Sequence, residues 1–144
     1  MALKHILLAG AAMAVVAGCS SVPYAQRLTQ RQAAYTAAAG APVNSFRFFT
    51  PLWSWEELGS DQVVIYTRPK EAWLLDVPGC NELPFANAIG LTSNLNQVSI
   101  NFDKVITGRN NMPCTIQRIR PVDVGKLKAV QQEQRQVKAE PRQS

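Results

Sequence analysis

The chain has a single histidine, His5, and it lies in an N-terminal stretch with the layout of a cleaved leader. Once that stretch is set aside, no Ser–His or Cys–His nucleophilic pair remains, and no histidine-ligated zinc site can be built. There is no Gly-rich phosphate loop, P-loop or EF-hand loop, and neither GxSxG nor SxxK occurs. No apolar run reaches the roughly 20 residues that a membrane-spanning helix needs. Cysteine is scarce, at three in 144 residues, and the length suits one domain. These absences leave no catalytic residue, cofactor or metal ligand to assign.

What is present begins with residues 1–18, "MALKHILLAGAAMAVVAG". A positive start at Lys4 precedes about 11 apolar residues, Ile6 to Val16, and the run ends in Ala17-Gly18. This is the three-part order of a secretory leader. Val16-Ala17-Gly18-Cys19 resembles the bacterial lipobox, in which small residues admit the chain to a membrane peptidase and the cysteine becomes an acylated N-terminus. The resemblance implies that Cys19 carries palmitate-type chains, each buried methylene contributing about 0.8 kcal/mol of membrane affinity. Ser20, where the class would carry Asp to stay on the inner membrane, points to the outer membrane with the domain facing the periplasm. Loss of Lys4 lowers Lys plus Arg from 15 to 14 against ten acids, a mature balance of +4. That charge is too small and dispersed to indicate nucleic acid, and at most favours loose contact with anionic headgroups.

An acylated Cys19 leaves Cys80 and Cys114 in a compartment that permits disulfides. Pairing them closes a loop worth about 3–4 kcal/mol on the chain-entropy model. The alternative is two separate buried thiols.

Residues 19–44 form the lipidated cysteine and a flexible tether, with a weak helix near Ala25–Ala39 whose apolar stripe is too thin to pack firmly. Such a tether would reach about 25–30 Å. Residues 45–123 make the globular part. "SFRFF" is extended, with Phe46 and Phe48 on one side, and "LWSWEELGSDQ" is a turn-rich excursion. "QVVIYT" and "AWLLDV" form a hairpin around Pro69. A short helix is expected near Glu82–Ile89. In "NQVSINFDKVI" the alternation places Val98, Ile100 and Phe102 on one face. "CTIQRIRPV" is a last strand, and its Ile116–Ile119 spacing predicts a bulge near Gln117 or Arg118. Asp123 caps a final helix within 124–144, striped by Val124, Leu127, Val130 and Val137, and the tail beyond it frays. The fold class is α+β: an antiparallel sheet of about five strands, one short helix, a C-terminal helix and one disulfide.

Carboxylates are the only remaining route to acid–base catalysis. Glu56 and Glu57 are adjacent and diverge, and Asp76 and Asp103 fall on outward strand faces, so solvated acids are the simpler account. Trp53 and Trp55, at i and i+2, are candidate ligand-binding residues for a glycan or peptide, although core packing also explains them. Arg118 and Arg120 share a strand face and, with Arg47 or Arg68, are candidates for an anion site.

"SFRFF", "AWLLDVPGCNELPFANAIGLTS", "VSINFDKV" and "CTIQRIRPVD" resemble a family of short proteobacterial lipoproteins known as a domain of unknown function. The resemblance covers about residues 45–127. Its most specific parts are Cys80-x-x-Leu83-x-x-Ala86, Phe102-Asp103 and the run from Cys114 to Asp123. It implies export and a paired cysteine, and no activity; turn bonding and helix capping suffice for Asp103 and Asp123. The sequence therefore describes a lipid-anchored, non-enzymatic binding or accessory module whose partner is an envelope protein or glycan. An inhibitor of an envelope hydrolase such as lysozyme is the alternative, and a carboxylate-dependent glycan hydrolase is a weaker one.

Overall fold

"QVVIYTR" is apolar on consecutive residues, the pattern of a strand covered on both faces. It forms the centre of the molecule. The computed structural model describes residues 22–49, 51–108 and 112–139; the leader and Cys19, with its expected acylation, lie outside the described residues. In chain order the elements are α1 (Tyr24–Ala38), β1 (Ser45–Arg47), β2 (Ser54–Glu57), β3 (Gln62–Arg68), β4 (Glu71–Asp76), a 3₁₀ turn (Leu83–Phe85), β5 (Gly90–Leu91), β6 (Gln97–Ser99), β7 (Lys104–Ile106), β8 (Cys114–Thr115), β9 (Arg118–Val122) and α2 (Val124–Ala139).

An antiparallel sheet, ordered β2-β3-β4-β9, divides two cores. Val64, Ala72, Leu74 and Val122 face the helices, where Ala34, Tyr35, Ala38, Val124 and Leu127 cover them. Val63, Ile65, Leu75 and Ile119 face the opposite way, onto Phe46, Val98, Val105 and Ile116 of two small sheets, β1-β6 and β5-β7-β8. The expected α+β class, the 62–77 hairpin and the C-terminal helix are all present. Asp123 Oδ1 accepts a hydrogen bond from the Lys126 N–H at 3.0 Å, as an N-cap should.

Several local expectations change. The stretch expected to be a flexible tether contains α1, and it packs firmly because its buried face is made of Ala34, Ala38 and Tyr35. Small alanines let the helix backbone lie close to the sheet, so no wide stripe of large residues is needed. Residues 39–43 then run along the outer edge of β9, with Gly40 N–H donating to Pro121 O and Val43 N–H to Ile119 O, both at 2.8 Å. This covers an edge that would otherwise offer unpaired backbone. Trp53 leads into a true strand, β2, rather than a turn-rich excursion. The helix expected at 82–89 shrinks to the single 3₁₀ turn.

The alternation read through "NQVSINFDKVI" is interrupted by a turn at 100–102, where Asn101 has φ +67°. Val98 is buried and Phe102 is 83% exposed, so the two do not share a face. Asp103 is buried rather than outward: it accepts from Thr92 Oγ1 at 2.8 Å and Ser99 N–H at 2.7 Å, tying β6 to β7. The irregularity predicted near Gln117 is larger than a bulge. The chain leaves one sheet after Thr115 and joins another at Arg118, which allows both Ile116 and Ile119 to be buried.

Cys80 and Cys114 are joined by a disulfide between the loop after β4 and the start of β8. Cys80 lies four residues after Asp76 and Cys114 four residues before Arg118, and Asp76 and Arg118 are the pair that ends the β4–β9 ladder. Replacing both cysteines with alanine is expected to lower the unfolding free energy by about 3–4 kcal/mol. Urea denaturation measures this, and an unchanged midpoint would show that packing alone holds the two segments.

Candidate functional site

The helix-bearing face of the central sheet carries three polar groupings. The first fastens α1 to β2. The buried Tyr35 hydroxyl donates to Glu56 Oε2 at 2.5 Å and stands 2.7 Å from the Tyr66 hydroxyl. One turn earlier, Arg31 lies between the two glutamates, 3.4 Å from Glu56 Oε1 and 3.3 Å from Glu57 Oε1, and also donates to the Glu57 carbonyl. Glu57 Oε2 further accepts from Gly59 N–H at 2.7 Å. Gly59 has φ +82°, and a β-carbon there would stand 3.3 Å from a Leu28 methyl, so only glycine suits this crossing of α1.

Burial pushes the Tyr35 phenol far above the usual tyrosine range, and its hydrogen bonds to Glu56 and Tyr66 act in the same direction. Burial raises Tyr66 as well, against the opposing effect of the Tyr35 hydrogen bond.

The second grouping centres on Asp76. Its carboxylate accepts from Arg118 Nε at 2.6 Å, Arg120 at 3.3 Å and Gln62 Nε2 at 3.0 Å. Arg118 and Arg120, the candidates for an anion site, therefore do come together, but around a carboxylate already held between them. Neither Arg47 nor Arg68 is bonded to this group. The aromatic candidates separate: Trp53 is 64% exposed, whereas Trp55 is half-buried against the β-side core. Trp73 stacks on Phe46 with ring centroids 5.1 Å apart.

The third grouping was not singled out from the sequence. Helices α1 and α2 pack antiparallel, since Ala38 at the end of α1 accepts from Asp123 N–H before α2, while Gln134 Nε2 donates to Gln30 O at 3.0 Å. Between the start of α1 and the end of α2 lies a cleft of about 340 Å³, lined by Arg27, Arg31, Arg135 and Lys138 together with glutamines. No acid lines it. Arg31 is compensated by Glu56 and Glu57, but Arg27, Arg135 and Lys138 have no carboxylate partner among the described residues. Arg27–Arg31 at i, i+4 and Gln131–Arg135–Lys138 at i, i+4, i+7 each mark one helix face. Among the described residues, no three of His, Cys, Asp and Glu gather where a metal ion could be held.

Fold and site together define a small disulfide-bridged α+β domain with a basic cleft between paired helices. The chain belongs to a family of unknown function (DUF6491), which it matches over residues 2–138. No curated protein and no solved structure matches it.

Tyr35→Phe is expected to cost about 1–2 kcal/mol, since Glu56 and Tyr66 each lose a partner. The raised Tyr35 pKa gives a second outcome. A phenol held protonated in the fold contributes its full stability below the unfolded value of about 10, and that stability is lost as pH rises above it. Urea unfolding from pH 8 to 11 should therefore show an alkaline decline that is shallower in Tyr35→Phe; parallel declines would contradict the assignment.

Proposed function

We propose that this chain is an outer-membrane lipoprotein, acylated at Cys19, whose domain faces the periplasm and works as a non-catalytic binding or accessory module. The observation that carries the reading is the Cys80–Cys114 bridge, because stable disulfides belong to oxidising compartments. It agrees with the leader and with the lipobox-like Val16–Cys19. No helix among the described residues is long and apolar enough to cross a membrane. In this reading the acyl chains supply the attachment.

The carboxylates favour a non-catalytic role. Glu56 is held by Tyr35, Glu57 by Arg31 and Gly59, Asp76 by two arginines, and Asp103 by Thr92 and Ser99. Each has a structural task, and the four are divided among three separate hydrogen-bond groups. An envelope protein or a glycan is the partner class that suits such a module.

Growth with labelled palmitate is expected to label the mature protein, and Cys19→Ala is expected to abolish that label. Label surviving in the variant, or an unlabelled mature protein, would overturn the anchor. A pull-down from envelope extract with the intact lipoprotein identifies the partner.

A further inference from the structure

The basic cleft lies at a particular place in the chain. Only residues 20–23 separate Cys19 from Tyr24, the first residue of α1. Fully extended, that connection spans less than about 18 Å. Arg27 is one turn further on, and Arg135 and Lys138 sit across the cleft from it on α2. If residues 24–44 were a loose tether, these cations would have no fixed relation to the anchor. With α1 packed, they are fixed at the end of the domain next to it.

The surroundings of the cleft suit a bilayer surface. Tyr24, half-exposed, opens α1, and Val137, 74% exposed, lies one turn beyond Gln134 on α2. An amphipathic tyrosine and an isolated apolar side chain beside arginine and lysine are what the headgroup region accommodates, with long cationic side chains reaching the phosphates. Arg27, Arg135 and Lys138, without carboxylate partners among the described residues, line the same cleft, so they act on one patch of surface rather than on separate ones.

We infer that the cleft between the start of α1 and the end of α2 is a docking surface for anionic phospholipid headgroups, laying the helix pair against the membrane. The inference deepens the lipoprotein reading and rests on it for its geometry. Each cation near an anionic surface strengthens binding roughly fivefold, so the three together supply about 100-fold. The attraction is screened by salt.

The test uses the mature protein with excess vesicles of phosphatidylcholine, alone or mixed with phosphatidylglycerol. The rate at which an amine reagent modifies Lys138 is compared with that at Lys70, in the β3–β4 turn. Lys138 is expected to be protected at least fivefold by phosphatidylglycerol, to be exposed again at high salt, and to be exposed in Arg27→Gln/Arg135→Gln, with Lys70 unchanged throughout. Both arginines are on the surface, and unaltered urea unfolding confirms that the variant is folded. Equal labelling of Lys138 with both vesicle types would overturn the proposal, and so would equal protection by inorganic phosphate with neutral vesicles, which would mark a soluble-anion site. Flotation with phosphatidylcholine alone reports the acyl anchor separately. Its failure would remove Cys19 acylation, whereas the labelling of Lys138 still reads the cleft.

Discussion

The short hydrogen bond from the buried Tyr35 hydroxyl to Glu56 decides where α1 lies. A phenol with almost no exposure requires a partner, and the carboxylate that accepts from it belongs to the edge strand β2. Arg31 adds a second fastening one turn away, where its guanidinium bridges both glutamates of β2. With the helix fixed at two points, Ala34 and Ala38 meet the sheet and close the core beneath it. The position of α2 follows, because Asp123 both caps that helix and donates its N–H to the end of α1. The cleft between the two helices is thus a product of polar bonds made elsewhere.

The same face shows how charge is distributed in this fold. Glu56, Glu57 and Asp76 are spent on holding Arg31, Arg118 and Arg120. Partly exposed pairs of this kind add little stability individually, but they orient the elements that carry them. Arg27, Arg135 and Lys138 are in no such pair among the described residues, and they gather at one end of the helix pair. A net charge that looks mild and dispersed along the sequence therefore includes one local concentration, at the cleft.

Features set by a few neighbouring residues were legible in the sequence. The 62–77 hairpin, the Asp123 cap and the change of course near Gln117 all rest on local patterns, and the Cys80–Cys114 pairing follows from counting thiols. The packing of α1 was not legible, because alanine carries no hydrophobic signal strong enough to distinguish a buried face from a solvated one. Nor was the turn at Asn101, since "VSINFD" alternates as well as any strand and only the positive φ ends it. For the site, Arg118 and Arg120 were found as a pair, but their shared partner Asp76 lies 42 and 44 residues away. The cleft needed the antiparallel order of two helices about a hundred residues apart, which no spacing encodes.

The disulfide has a mechanical consequence. The residues between Cys80 and Cys114 form a closed covalent ring that hangs from the junction of β4 and β9. A force applied along the chain passes through the bridge and bypasses the ring, which shelters about 110 Å of contour from extension. Beyond the bridge, the load falls on the pairing of β4 with β9, the last strand of the four-stranded sheet. The domain would resist stretching as a short strap with a loop clipped to its side, and β5 to β7 would feel none of the pull.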